Sequence, residues 1–190
     1  MKYGRNSFTA SLFVALTAVM SGLVTVATAI IAIPFPTSTG YLNFGDTLVM
    51  ISGMLLGPFG GFIAGGLGSA LADVSMGYLG FAPLTFVVKG TEGLLIGLIS
   101  KRTNEFGKLG ARDLAGLIIG GIIMMLGYFI GEIFLLGYEA AIAELLFLNW
   151  IQAVSGIVVA ALVGPKVREY LVQSTGTNGL LESEEALDGF

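Results

Sequence analysis

Between Phe8 and Ile33 the chain reads "FTASLFVALTAVMSGLVTVATAIIAI", without one charged side chain. A helix of that length, rising about 1.5 Å per residue, crosses the ~30 Å hydrocarbon layer of a bilayer with some tilt. A soluble helix keeps a polar face, and this run has none. More apolar runs follow, so that only 12% of the 190 residues are charged, against about a quarter in soluble domains. The expected fold class is therefore an all-α integral membrane protein. Lys2 and Arg5 precede the first run as they would in a signal peptide, but the run is too long for an h-region and reads as a retained helix.

The chain has no cysteine and no histidine. That excludes disulfides, thiolate nucleophiles, iron–sulfur clusters and histidine-based zinc sites, and no cofactor or metal is expected. The net charge of −4 says little about partners, because four acidic residues lie after Leu181. Residues 1–172 are expected to form one membrane domain, and residues 173–190 a disordered acidic tail.

Breaking the chain at Pro, Gly and charge clusters gives six expected transmembrane helices. They cover about residues 8–33, 46–56, 59–73, 82–100, 113–136 and 139–163, with a turn at "GPFG" between the short second and third. With both termini cytoplasmic, Lys2, Arg5, Lys101, Arg102, Lys108, Arg112, Lys166 and Arg168 all fall on the inner side. The remaining basic residue, Lys89, lies inside a span. This partition follows the positive-inside rule, and a miscount by one helix would scatter the charges.

Helices in lipid associate through small residues at four-residue spacing. Gly53, Gly57, Gly61, Gly65, Ser69 and Asp73 form one such series; Gly116–Gly120 and Gly127–Gly131 form others. Helix one carries Ser11, Ala15, Ala18 and Gly22. Internal packing accounts for most such residues, and an outward-facing stripe that docks another subunit is the second reading for helix one.

In "APLTFVVKGTEGLLIGLIS", Lys89 and Glu92 sit three apart on one helical face, in mid-membrane. A lone charge there costs about 2.5–3.5 kcal/mol even on the lenient insertion scale. A structural ion pair is one reading. A ligand site is the stronger one, since a hydrophobic pair would pack as well. Glu132, one turn after Tyr128, lies in the outer half of helix five, and Glu144, Asn149, Trp150 and Gln152 cluster in the outer half of helix six. Tyr41, Asn43 and Asp46 close the first outer loop, while Asp73, Ser75 and Tyr78 occupy the second. Singly, the aromatics fit an interfacial belt and the aspartates fit helix caps. Together they converge on an outer-leaflet pocket suited to a small planar heterocycle. Catalysis is not expected: no nucleophile stands beside a base and no proton-shuttling histidine exists.

The stretch "YLNFGDTLVMISGMLLGPFGGFIAGGLGSALADVSMGY", continued by "FAPLTFVVKGTEGLLIGLISKR", resembles the substrate-binding S components of energy-coupling-factor (ECF) vitamin transporters, nearest the riboflavin-type group. The resemblance covers residues 8–172 and is strongest from Tyr41 to Arg102. It implies a six-helix bundle that binds a vitamin or precursor at the outer face and toppling in the membrane to release it inside. It also implies assembly with a membrane scaffold subunit and two ATPases, in the cytoplasmic membrane of a prokaryote. The Ala-xxx-Ala stripe that docks the scaffold is matched here by Ser11-xxx-Ala15, extended by Ala18 and Gly22. The absence of a "GxxxxGK[ST]" loop fits a subunit that borrows its energy.

The expected substrate-binding residues are thus Lys89, Glu92, Tyr41, Asn43, Asp46, Asp73, Tyr78, Glu132, Asn149 and Trp150, with Lys89 and Glu92 meeting the ligand's polar edges or holding loops that do. The expected docking residues are Ser11, Ala15, Ala18 and Gly22. The alternative is a stand-alone secondary or proton-coupled transporter using Glu92 or Glu132 as its coupling carboxylate.

Overall fold

In hydrocarbon every backbone N–H and C=O must find its partner within the protein, so apolar runs of this length fold as helices. The computed structural model describes residues 3–30, 33–34, 41–100 and 107–175. They form α1 (Tyr3–Ile30), β1 (Ile33–Pro34), β2 (Tyr41–Leu42), α2 (Gly45–Ser75), α3 (Ala82–Ile99), α4 (Ala111–Leu135), α5 (Tyr138–Glu144), a π-helical turn (Leu145–Asn149) and α6 (Trp150–Thr175). The β1–β2 pair is a two-residue antiparallel bridge that closes the first loop.

Among the described residues, five helices are long and apolar enough to cross a membrane: Ala10–Ile30, Gly45–Ser75, Ala82–Ile99, Ala111–Leu135 and Tyr138–Leu171. The second and third expected helices are the two halves of α2, divided at Gly57 within the expected GPFG turn. The last span is corrected: it continues to Thr175, past both residue 163 and the expected domain limit at 172. Ile33, the expected end of the first helix, belongs instead to the β1 bridge. The expected tail beyond Thr175 lies outside the described residues.

The two halves of α2 fold back on each other. Gly57 takes φ 72° and ψ −168°, inside an element otherwise helical, and Pro58 follows. A positive φ is open to glycine without steric cost. A Cβ added to Gly61 would lie 2.8 Å from the Gly53 Cα, and one added to Gly65 would lie 2.8 Å from the Val49 side chain. Residues eight and sixteen apart in one straight helix stand far more than that apart, at about 1.5 Å rise per residue. The first half, residues 45–56, is only roughly 18 Å long, which is short of the hydrocarbon thickness.

α3 packs into this hairpin at backbone distance. A Cβ at Gly53 would meet the Gly93 carbonyl oxygen at 2.7 Å, and one at Gly65 would meet the Lys89 carbonyl oxygen at 2.6 Å. α4 repeats the device along α3: Gly116 abuts Ser100, Gly120 abuts Ile96, Gly127 abuts Val88 and Gly131 abuts Leu84. The glycine stripes of α2 and α4 are therefore used for internal packing, as small residues at helix contacts allow. The core between these helices and α6 is built from Met50, Ile51, Met54, Ile96, Leu117 and Ala160. Long apolar side chains such as Ile118, Ile122, Leu126, Ile130 and Phe134 are exposed along α4, where lipid would cover them.

One ion pair fastens the end of the bundle away from the first loop. Arg168 Nη2 donates to Asp113 Oδ1 at 2.8 Å and Nη1 donates to Asp113 Oδ2 at 3.2 Å, a two-pronged contact between α6 and α4. Arg168 Nη2 also donates to the Met54 carbonyl at 3.2 Å. In an unbroken helix residue 58 would bond that carbonyl, but Pro58 has no N–H. Arg168 thus supplies a donor to a carbonyl that the hairpin turn leaves without its helical one.

We expect Arg168→Ala to lower unfolding stability in detergent by about 3–5 kcal/mol, because it strands a buried carboxylate and a backbone carbonyl. Arg168→Lys should recover only part of that loss, since an ammonium lacks the fork. Thermal unfolding of both variants checks this, and equal recovery by lysine would contradict it.

Candidate functional site

A cleft opens at the opposite end of the bundle, where β2, the α2–α3 loop, α4 and the α5–α6 region meet. It spans about 470 Å³ of space between atoms, open solvent at its mouth included. Tyr78, Phe81 and Tyr128 give it aromatic walls, and Leu148 an aliphatic one. Asp73, Glu132, Glu144 and Asn149 bring carboxylates and an amide, and Asn43, Thr85 and Gln152 complete the lining.

Local backbone chemistry puts these groups there. α2 ends in a glycine cap: Gly77 has φ 88°, its N–H donates to the Val74 carbonyl at 3.2 Å, and the Tyr78 N–H donates to the Asp73 carbonyl at 2.8 Å. This pattern of crossed bonds folds Tyr78 back beside Asp73. At the end of α4 the N–H groups of Leu136 and Gly137 both donate to the Glu132 carbonyl, at 2.7 and 3.2 Å. Gly137, with φ 92°, then turns the chain into α5, so that Glu132 faces Glu144 and Asn149. The π turn matters because it closes i→i+5 bonds and brings residues five apart onto one side. Glu144 and Asn149 are such a pair.

The first loop is pinned across the cleft. The backbone N–H and the side-chain amide of Asn43 both donate to Gln152 Oε1 at 3.2 Å, and Asn43 Oδ1 accepts from the Gly45 N–H at 2.8 Å.

Behind the cleft lies a buried ion triad. Lys89 Nζ donates to Asp46 Oδ1 and, at 3.2 Å, to Glu92 Oε2. The three residues are 2%, 1% and 0% exposed. Asp46 belongs to the first half of α2 and the other two to α3, so the triad ties those elements together. Tyr128 stands between the triad and the cleft: Lys89 Nζ is 5.4 Å from its ring centroid, and its hydroxyl donates to Thr85 Oγ1 at 3.2 Å.

Several buried polar atoms have no hydrogen-bond partner among the described residues. Glu132 Oε2, Glu144 Oε1 and Asn149 Nδ2 belong to residues lining the cleft, while Asp46 Oδ2 and Glu92 Oε1 belong to the triad. Such atoms are uncommon in buried settings and call for an explanation, commonly an absent partner.

Of the expected substrate-binding residues, Asn43, Asp73, Tyr78, Glu132 and Asn149 line the cleft together. Lys89, Glu92 and Asp46 do not; they back its wall. Trp150 is 56% exposed and does not line it either. The Tyr41 side chain lies outside the described residues. Glu144, Gln152 and Tyr128 belong to the groups that the sequence reading brings to the outer pocket without including them among the expected substrate-binding residues. Phe81, Thr85 and Leu148 are additions. Phe81 and Thr85 precede Lys89 at four-residue intervals, so the helical face of Lys89 was the available signal for both.

On the first helix, Ser11, Ala15, Ala18 and Gly22 are all exposed, and a Cβ added at Gly22 would meet nothing within 4 Å. That stripe does not pack inside the bundle.

The fold and the cleft thus define a helical protein with five helices able to cross a membrane and a polar, aromatic-walled cleft at one end of the bundle. Residues 10–168 match the family model for the ECF-type riboflavin transporter, S component, and the chain belongs to that family. It is 47% identical over 141 residues to an "Uncharacterized protein in gap 3'region" of Pyrococcus woesei, covering 74% of this chain and 91% of that one. It is also 26% identical over 162 residues to the thiamine precursor transporter HmpT of Lactococcus lactis subsp. cremoris, covering 85% of this chain and 87% of that one. The family is one of transporter components and not of enzymes.

The triad predicts an outcome that separates support from ligand contact. Lys89→Ala leaves two carboxylates facing each other and should cost about 3–5 kcal/mol of stability. Adding Asp46→Asn and Glu92→Gln should restore much of it. Unfolding in detergent measures both; a Lys89→Ala protein of unchanged stability that has lost ligand binding would instead put Lys89 against the ligand.

Proposed function

We propose that this protein is the substrate-capturing membrane subunit of an ECF-type importer, taking a vitamin-like heterocycle into the cleft from outside the cell. The observation that carries this reading is the set of buried, partnerless polar atoms, Glu132 Oε2, Glu144 Oε1 and Asn149 Nδ2, at an aromatic-walled cleft. A planar ring would stack on the tyrosine and phenylalanine faces while its polar edge supplies the partners that these atoms lack. Family membership and the transporter name of the Lactococcus relative support the same reading.

In this reading the chain crosses the cell membrane of a prokaryote six times, counting the two halves of α2 separately, with both termini in the cytoplasm. Supporting this, Arg112 and Arg168 lie at the end of the bundle away from the cleft, as the positive-inside rule requires of a cytoplasmic end. The exposed small-residue stripe Ser11, Ala15, Ala18 and Gly22 offers α1 as the docking face for a membrane scaffold subunit, which carries two ATPases. Hydrolysis by those partners drives uptake, and the bundle alone hydrolyses nothing.

Mass spectrometry of small molecules released from the purified chain should find a heterocycle of vitamin size. Asn149→Ala and Tyr128→Ala should each weaken its binding about tenfold, which corresponds to about 1.4 kcal/mol. Uptake by the chain alone in liposomes, without ATPase partners, would contradict the reading and favour a stand-alone carrier.

Docking has its own test. Ala15→Trp should abolish co-purification of the scaffold subunit while ligand binding in detergent stays within about twofold, because bulk blocks close helix approach. Loss of ligand binding with assembly intact would be the opposite result.

A further inference from the structure

The end of α4 and the short helix α5 meet through two acids. Glu132 lies in the last turn of α4 and Glu144 ends α5, and the two residues are 2% and 3% exposed. Their carboxyl groups are hydrogen-bonded to each other, and the Asn149 amide is the other polar neighbour of Glu132. An ionised carboxylate has no hydrogen to donate, so two glutamates both in that form have nothing to place between them. Charged together out of water, they would also repel. A single proton on the pair answers both: one acid donates, the other accepts, and one negative charge remains. Each acid also keeps a buried oxygen to which no described residue donates.

No cation in the cleft takes the place of that proton. Asp73 and Tyr78 face the pair from the end of α2 and the loop after it, and Tyr128 faces it from α4. From the first loop, α3 and α6 come only the uncharged Asn43, Thr85 and Gln152, and among the described residues no lysine or arginine lines the cleft. Lys89 lies behind the Tyr128 ring, engaged by Asp46 and Glu92. Glu139, the remaining acid of α5, is exposed.

The pair spans a hinge. Gly137, with φ 92°, separates α4 from α5. α5 has seven residues, too few to hold a helix without contacts to the rest of the chain. An edge-on contact between Phe129 and Tyr138, with ring centroids 6.3 Å apart, is one such contact to α4. The acid pair is another, and it alone of the two can be switched by a proton.

We propose that Glu132 and Glu144 form a proton-binding site, a single proton shared between them, whose occupancy latches α5 and the π turn against α4 at the cleft. The proton is bound at low pH. As pH rises it leaves to solvent, the two carboxylates repel, and α5 swings at Gly137 away from α4, loosening that side of the cleft. On the reading of the cleft as the capture site, a guest that donates to either acid displaces the same proton, so the empty and filled states differ in protonation.

The test uses the full chain in detergent, freed of small molecules by dialysis, with Glu132→Gln, Glu144→Gln and the double variant. Glutamine is neutral and keeps an N–H to donate, so it mimics the protonated acid with no proton to lose. Infrared spectra near neutral pH should show one protonated-carboxyl absorption fewer in each single variant, and no further loss in the double, because the pair holds one proton between two acids. No loss in the single variants, or a second loss in the double, overturns the shared proton. The thermal midpoint of the unsubstituted chain, measured relative to either single variant, should fall by roughly 2–4 °C from mildly acidic to mildly alkaline buffer. Profiles that stay parallel overturn the latch. If one single variant fails to fold, the other carries both measurements. Neither measurement adds a guest, so failure here leaves the capture reading to its own test.

Discussion

A polar side chain inside a bilayer has no water to fall back on, so its partner must come from the protein or from a guest. The distribution of polar groups along this bundle follows from that constraint. At one end both Asp113 oxygens are held by Arg168, which also satisfies the Met54 carbonyl. In the middle, Lys89 serves two carboxylates and leaves one oxygen of each without a partner. At the other end, Glu132, Glu144 and Asn149 surround open space with partnerless atoms. At the cleft the partnerless atoms gather around open space, which is where a ligand can complete them.

The same helices that bury these groups also give the cleft its shape. Glycines let the α2 hairpin and α3 meet at backbone distance, and the triad sits within that tightly packed trio. A rigid wall is the result: Tyr128, braced by Thr85 and backed by the Lys89 ammonium, presents its ring to the cleft from a fixed position. On the far side the π turn and the Asn43–Gln152 contact join the first loop to the last span. The cleft therefore has one wall of close-packed helices and one of irregular backbone, the kind of backbone that membranes tolerate only next to protein or a cavity.

Much of this was legible in the sequence. Apolar runs gave most helix ends to within a few residues, since length and hydropathy depend on nothing distant, but the last span runs on to Thr175, past its expected end at residue 163. Gly57 and Pro58 announced the reversal within α2, and the glycine stripes of α2 and α4 announced close packing. Polar residues in the outer half located the cleft end, and five of the expected substrate-binding residues do line it. What the sequence could not give was pairing. Lys89 and Glu92 draw the eye as charges in oil, yet which carboxylate a lysine meets depends on how residues of the first half of α2, such as Asp46, pack against α3. Trp150 misled for a simpler reason: it neighbours Asn149 in sequence, but consecutive side chains on a helix point about 100° apart, and it faces outward. Phe81, Thr85 and Leu148 carry no charge to mark them.

The account stands on a division of labour in which the glutamates of the cleft meet the guest and the triad only supports the wall. Carboxylate labelling by a water-soluble carbodiimide and an amine, read by peptide mass spectrometry in native membranes, tests that division directly. Glu132 and Glu144 should be modified in the empty protein and protected when the co-purifying ligand is added back, while Asp46 and Glu92 stay unreactive in both states. Ligand-dependent protection of Asp46 or Glu92, with Glu132 and Glu144 indifferent to the ligand, would reverse the assignment.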